Sequence, residues 1–436
     1  MITYDRALDY IYGLIKYGSK LGLNNIAALL NSLGNPQQKL KIIHVGGTNG
    51  KGSTASLLSM MLHSEGYKTG LFTSPHLVDF TERIKINNRQ ISPKKICELV
   101  EKIQPHVSNT EKRRDCQHPT FFEVITAMAL LYFYEEKVDF LILEVGLGGR
   151  LDATNICEPL ISVITHVDFD HMDKLGNSLA EIAEEKAGII KKNGLVVNAN
   201  QYEEALKAIE RKAKEKKAQI FSLGKDVKYI IKKSDLNGLV FDYFGLVEDY
   251  KELHTPLLGK HQAENAALAI TALQALQFKG INISKKAIIN GLKKAKWEGR
   301  LEIVQRKPAL LLDGAHNPSG IEMVKNAICE IFNFKKLILV LAIFSDKDFK
   351  KMIEIIIPMS NAVIVTMAKS HRATPLDVLY DEIAYYKNKE NIFIKKDVPS
   401  AIAFAMKLAG KDDLICVTGS LHTVGEAKEY FQENVK

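Results

Sequence analysis

The sequence predicts an α/β fold in two parts: a larger P-loop-type domain with a mostly parallel sheet, and a smaller Rossmann-like α/β domain after it. Three observations carry this. Bare apolar runs such as Phe140–Val145 (FLILEV) and Leu160–Thr165 (LISVIT) alternate with longer amphipathic segments, the pattern of βαβ units whose sheet is covered on both faces. An apolar run at Ile42–Val45 enters a glycine-rich loop that opens into a helical pattern. The rhythm breaks near Lys296–Arg300, where Trp297 and Gly299 interrupt it, and then restarts. A length of 436 residues allows two or three domains, and the break divides the chain into 1–296 and 297–436.

In chain order, the opening segment MITYDRALDYIYGLIKYGSK alternates apolar and polar residues at helical spacing. It lacks the unbroken apolar stretch of a signal peptide. Strands are expected at Ile42–Val45, Thr69–Phe72, Val138–Val145, Leu160–Thr165 and Leu195–Asn198. Helices are expected at Ser53–Glu65, Pro93–Ile103, Phe122–Glu136 and Leu179–Ile190. From Val227 to Leu246 the pattern turns to alternation, with Gly238 and Gly245, and predicts a small hairpin. Helices follow at His261–Leu276 and Lys285–Lys294. The second part then offers strands at Leu310–Leu312, Leu337–Leu341, Ala362–Thr366, Ile392–Lys395 and Leu414–Val417.

Composition excludes several classes. At 46% hydrophobic and 25% charged the chain is neither disordered nor fibrous. Cys97, Cys116, Cys157, Cys329 and Cys416 are odd in number and form no CxxC pair, which fits reduced thiols better than a disulfide or zinc framework. Apolar runs such as Leu337–Phe344 fall short of a membrane span. A soluble cytoplasmic protein without membrane contact is expected. The net charge of +8 suits nucleic acid or anionic small molecules, but its distribution argues against nucleic acid. The densest basic run, Arg211–Lys217, lies among Glu203, Glu204 and Glu210, spaced to pair with Lys207 and Lys214 on a solvated helix face. No basic stretch is interleaved with aromatics.

The segment most informative about chemistry is Ile42–Met61, IIHVGGTNGKGSTASLLSMM. Glycines let backbone amides approach phosphate oxygens, the helix N-terminus adds its dipole, and Lys51 supplies a point charge. Gly47, Thr48, Asn49, Gly50, Lys51, Gly52 and Ser53 are therefore candidate phosphate ligands. The loop departs from GxxxxGK[ST]: Val45 stands in place of the first glycine, and Gly52 separates Lys51 from Ser53. A second cluster, Gly146–Leu151, fails as a dinucleotide motif because Leu151 occupies the third glycine position. Before it, Glu144 ends a buried-type strand, where a carboxylate can hold Mg²⁺ or be an ordinary strand-end acid. Read alone, His171 is a satisfied loop histidine, and its spacing from His166 has no zinc logic. Lys186 reads as a plain helical lysine, and Asp313–Pro318 as a polar turn with some potential as a site.

Taken in order, the motifs resemble the Mur ligase superfamily and, within it, the folylpolyglutamate synthase/dihydrofolate synthase family. They are GGTNGKGS, FTSPHL (Phe72–Leu77), ERIKIN (Glu82–Asn87), PTFFE (Pro119–Glu123) and LEVGLGGRLDATN (Leu143–Asn155). EKAGI (Glu185–Ile189), GKHQAENAALA (Gly259–Ala269), GRLE (Gly299–Glu302), LDGAHNP (Leu312–Pro318) and VTGSLHTVGE (Val417–Glu426) continue the series.

The resemblance implies an ATP-dependent ligase that adds L-glutamate to a folate, and also to dihydropteroate, through an acyl phosphate. Its partners would be small molecules, and the acting form a monomer. Lys51 and Ser53 would hold phosphates, with Lys51, Lys186 and His171 as the catalytic set. Ser74, Glu144 and His171 match the Mg²⁺-linked residues. Lys186 matches a lysine that the superfamily carries as a carbamate, able to ligate the second of two metals. Asn265, Arg300, Asp313 and His316 match positions that grip adenine, phosphates and ribose. The last three belong to the second domain, so closure would assemble the site. Thr120, Phe122, Asp152 and Ala153 resemble a pterin-side pocket. One stretch departs from the family: Ile164–Gly176 (ITHVDFDHMDKLG) is more charged than usual, and Asp168, Asp170 or Asp173 could alter metal geometry around His171.

Two rivals differ in what they explain. A murein-precursor ligase would normally carry a UDP-binding domain before the P-loop, and only about 45 residues precede Gly46. A P-loop switch protein would use Lys51 and Glu144 but leaves Lys186, Asn265 and Asp313 without a role.

Overall fold

Runs that bury every side chain form the middle of the first sheet. In the computed structural model, which describes residues 2–18, 22–199 and 201–434, the whole sheet comprises β1 (Ile42–Gly46), β2 (Thr69–Phe72), β3 (Ile84–Ile86), β4 (Arg89–Gln90), β5 (Phe140–Glu144), β6 (Ile161–Ile164), β7 (Leu195–Asn198) and β8 (Gln219–Ser222), of which β2, β5, β1, β6 and β7 are the fully buried ones. Their spatial order is β4-β3-β2-β5-β1-β6-β7-β8. The strands from β2 across to β8 are parallel, and β3 and β4 form an antiparallel edge. In register, Val45 of β1 lies between Glu144 of β5 and Val163 of β6.

Helices cover both faces. Leu57, Leu58 and Met61 of the helix Lys51–Glu65 share one apolar cluster with the helix His261–Ala275. Val124 and Met128 of the helix Phe121–Glu135 share the opposite one with Ile26 and Val100. The helix at Lys51 starts two residues before the expected Ser53, because Gly50 turns the chain with φ of +91°. The helix from Pro93 runs to Glu111 with Pro105 inside it, and the helix from Leu179 stops at Ala187, ahead of Gly188.

The expected hairpin is a three-stranded antiparallel sheet: β9 (Lys228–Asp235), β10 (Gly238–Phe244) and β11 (Tyr250–Thr255). The third strand escapes sequence reading because Glu252 takes φ of +53° near a register shift, which breaks the two-residue alternation. Phe241, Tyr243 and Tyr250 fasten this sheet to the main core.

The second sheet contains β12 (Glu302–Arg306), β13 (Ala309–Leu312), β14 (Leu337–Leu341), β15 (Ala362–Val365), β16 (Ile392–Ile394) and β17 (Leu414–Thr418). Its order is β12-β13-β17-β14-β15-β16, parallel except for β12. Residues 211–217 lie at the end of the helix Glu203–Glu215 and beyond it. Glu203 pairs with Lys207 at 2.6 Å, while Glu210 reaches out of the helix to Lys225 instead of Lys214. All five cysteines are free thiols. Among the described residues no helix is long and apolar enough to cross a membrane.

Candidate functional site

In the first sheet the chain leaves β1 for β2 and skips the place that β5 later fills, so a crevice opens at the carboxyl end of β1. Three strand ends meet there: the loop after β1, Glu144 closing β5, and the loop after β6 that reaches His171. The carboxyl ends of the second sheet face them. Asp313, Ala315 and His316 follow β13, and Leu421 follows β17, all in the wall of the same cavity.

The glycine-rich loop is held from several sides. The backbone amides of Thr48 and Asn49 donate to the His166 carbonyl at 2.8 and 3.2 Å. Lys51 Nζ donates to the carbonyls of Gly47 and Thr48 at 3.1 and 2.9 Å. Lys186 Nζ, from the end of its helix, donates to the same Gly47 carbonyl at 3.0 Å. Gln262 Nε2 donates to Ser53 Oγ at 3.4 Å and Asn265 Nδ2 to Gln262 Oε1 at 3.0 Å. Gly52 packs under Trp297, whose ring would lie 2.5 Å from any Cβ placed there.

Two lysines on one carbonyl in a buried site repel each other. Burial, and then Lys51, press Lys186 down to about 7. Burial likewise lowers Lys51, against the attraction of Glu144 and Asp170. Burial raises Glu144, opposed by Lys51 and by the Ser74 amide, which donates to Glu144 Oε2 at 2.9 Å. His171 and His316 each fall to about 4, chiefly through burial, so both rings are neutral. Asp313 spends its carboxylate on the amides of Leu301 and Ala315, each at 2.8 Å.

One charged cluster joins the two sheets. Lys347, in the loop after β14, donates to Asp170 Oδ1 at 2.5 Å and lies 3.3 Å from His171 Nε2. His316 Nε2 is 3.7 Å from Asp170 Oδ2. Although burial opposes it, the His171 ring, Lys347 and the His316 ring around Asp170 hold its carboxyl well below the usual range. Asn49 adds a polar bridge, donating to Ser319 Oγ at 2.7 Å and accepting from Asn317 Nδ2 at 3.2 Å.

Among the described residues no group of three or more His, Cys, Asp or Glu side chains forms a metal cage. The donor set still suits Mg²⁺, which keeps several waters and takes one or two carboxylates plus substrate phosphates. Glu144 and Ser74 lie in the cavity wall beside Lys51 and offer such oxygens. His171 offers a nitrogen already facing Lys347.

A second cavity adjoins the first and shares Ser74, Pro75, Gly146 and Leu147 with it. Thr120, Phe122, Asp152 and Ala153 all line it. Their polar groups are largely engaged. Thr120 caps the helix Phe121–Glu135 in a reciprocal capping box with Glu123. Asp152 accepts from the amides of Leu147 and Thr154 at 2.9 and 3.0 Å. The Phe122 ring would lie 2.4 Å from a Cβ on Gly146. That glycine lets the ring form the floor.

Gly47 through Ser53, Ser74, Glu144, His171, Lys186, Asn265, Arg300, Asp313 and His316 thus converge on one cavity, and the pterin-side candidates on its neighbour. Sequence reading missed Lys347, His261 and Gln262. Lys347 had a usable signal, since it follows a parallel strand at its carboxyl end, where such sheets bind ligands. His261 and Gln262 sit at the first turn of a helix in the wall, and their signal was the GKHQAENAALA motif that contains them, from which only Asn265 was singled out.

The model of the Mur ligase middle domain matches residues 45–273, and that of the Mur ligase glutamate ligase domain matches residues 299–421. A dihydrofolate synthase/folylpolyglutamate synthase of Bacillus subtilis is 39% identical over 98% of this chain and 99% of its own length. The folylpolyglutamate synthase of Mycobacterium tuberculosis, solved with ADP and AMPPCP, superposes with a TM-score of 0.92 at 30% identity, covering 99% of this chain and 100% of that one. E. coli FolC, solved with DHPP and ADP, gives 0.88 at 28% identity, covering 99% of this chain and 98% of that one.

Proposed function

The chain belongs to the Mur ligase superfamily and, within it, to the folylpolyglutamate synthase/dihydrofolate synthase family, and from that premise we propose that it is an ATP-dependent ligase adding L-glutamate to folates and to dihydropteroate. The observation that carries the reading is the shared wall of the two cavities at Ser74–Pro75 and Gly146–Leu147. A triphosphate on the P-loop and a carboxylate in the neighbouring cavity would meet there.

An ionised carboxylate is a poor electrophile. Its oxygen attacks the γ-phosphorus of ATP, ADP leaves, and the acyl phosphate carries a good leaving group. The amine of L-glutamate then attacks the acyl carbon, loses a proton, and expels phosphate. Charge spreads over the transferring group, so positioned cations do most of the catalytic work. In this reading Lys51 neutralises phosphate oxygens, and the backbone from Gly47 to Ser53 cradles them. Asn265, Arg300, Asp313 and His316 hold the nucleotide from the adenine and ribose sides. Ser74, Glu144 and His171 would hold Mg²⁺, which when bound offsets phosphate charge. Lys186, carried as a carbamate, would hold a second ion. Thr120, Phe122, Asp152 and Ala153 form the acceptor side.

Division of labour between 1–296 and 297–436 follows, since Arg300, Asp313 and His316 come from the second part. Free thiols and soluble substrates support a cytoplasmic setting. A murein-precursor reading is disfavoured because the Bacillus relative is matched over 99% of its length.

The test is ADP release with L-glutamate and either dihydropteroate or tetrahydrofolate. Stimulation by an acceptor is expected, and none by either would sink the assignment. For Lys186, intact-protein mass spectrometry in bicarbonate should find an added carboxyl group on this side chain. Full activity in Lys186→Ala would refute its role.

A further inference from the structure

Beneath the wall shared by the two cavities runs a chain of hydrogen bonds that the reaction scheme does not use. His44 is the middle residue of β1, two positions before Gly46, and is wholly buried. Its Nε2 is 2.8 Å from Thr154 Oγ1, and its Nδ1 is 3.8 Å from Cys157 Sγ. The hydroxyl and amide of Thr154 both reach Asp152 Oδ1, while Asp152 Oδ2 accepts from the Leu147 amide. Leu147 lines both cavities, and Asp152 lines the acceptor side.

Counting protons gives the chain a direction. Asp152 takes two backbone N–H groups and a hydroxyl, a donor set that matches a carboxylate rather than a carboxylic acid. A carboxylate only accepts, so the single hydrogen of the Thr154 hydroxyl is committed to Asp152. Toward His44 that oxygen can then act only as an acceptor, and the ring hydrogen must sit on Nε2. In a neutral imidazole this leaves Nδ1 as an acceptor, facing a thiol that can donate. Burial agrees at the histidine end, pressing His44 down to about 3 and pushing the Cys157 thiol up to about 12; at Asp152 burial raises the carboxyl, and the Thr154 hydroxyl with the Leu147 and Thr154 amides works against it to hold the ionised form.

We propose that His44, held as its Nε2–H tautomer between Cys157 and Thr154, is a positioning residue that fixes Asp152 and the 146–153 loop of the acceptor cavity to the strand bearing the phosphate loop. The identity of the acceptor rests on the ligase reading above, and the hydrogen-bond direction does not. A satisfied core histidine with no further role would make the same contacts, so the test must separate the two.

Histidine-labelled protein, with the His44 signals assigned by their loss in His44→Gln, is examined by ¹⁵N–¹H NMR. A protonated Nε2 and bare Nδ1 are expected; an Nδ1–H tautomer or an imidazolium overturns the proposal. In kinetics, His44→Leu fills the space without a donor, and His44→Gln keeps one near Nε2. The leucine variant should raise KM for dihydropteroate by up to about tenfold, the upper end for one neutral hydrogen bond, with KM for ATP changed by less than about twofold. Glutamine should recover most of the loss. An unchanged acceptor KM, or equal rises for both substrates, overturns the positioning role. Should His44→Leu not fold, Thr154→Val is the near-isosteric variant that breaks the same chain, and Thr154→Ser the one that restores it. If the wild-type protein releases no ADP in response to any acceptor, the ligase reading fails, and the tautomer measurement still judges His44.

Discussion

At the scale of single residues the site is a problem of crowded charge. Lys51 and Lys186 donate to the same carbonyl of Gly47, an arrangement tolerable only while burial weakens their charge or an anion lies between them. Lys51→Ala should therefore lower ADP release by about a hundredfold or more, with an unchanged circular dichroism spectrum. Gly52 offers a second, purely steric test. A methyl group there would lie 2.5 Å from the Trp297 ring, and overpacking of this kind costs about 1–3 kcal/mol. Gly52→Ala should weaken nucleotide binding, measured by calorimetry, and adding Trp297→Ala should restore part of it. Strict additivity in that double-mutant cycle would show that the two residues do not communicate. The sequence marks Gly52 as a departure from the usual loop; only the fold shows what sits above it.

At the scale of elements, the helix Phe121–Glu135 shows how a local signal can have two uses. PTFFE contains a capping box, and Thr120 spends its hydroxyl on Glu123. Its presence in the acceptor wall is then as much structural as chemical. Thr120→Ala should lower stability by about 1 kcal/mol, seen as a drop in Tm, and Thr120→Ser should recover it. An acceptor KM raised in the alanine variant with no change in Tm would mean that the hydroxyl serves ligand, not helix. Most elements were legible because their periodicity is local: β2, β7, β14 and the helix Lys285–Lys294 lie where the apolar pattern places them. β11 was not, since a residue at φ of +53° hides its alternation.

For the whole molecule, the two sheets are joined where their carboxyl ends meet. The Asp170–Lys347 pair is almost fully buried, with side-chain exposures of 9% and 6%. Removing one partner of such a pair leaves an uncompensated charge, at about 3–5 kcal/mol. Lys347→Met should lower Tm clearly, and Asp170→Asn on top of it should give back part of the loss. If the single variant melts like the wild type, the pair does not hold the sheets together. This junction was beyond sequence reading. Asp170 stood out only as an excess acid near His171, and Lys347 lies 177 residues away from it.

What the sequence by itself determined is everything encoded by neighbours in the chain: buried strands, amphipathic helices, the glycine loop before Lys51, and the order of motifs that marks the family. The tertiary structure alone decided which of these residues meet. Lys186 reaches Gly47 across 139 positions, and His44 reaches Thr154 across 110. Such contacts depend on β1 lying between β5 and β6 and on two sheets facing each other. Strand order is set by the packing of the whole core, and a periodicity of two or 3.6 residues carries no record of it.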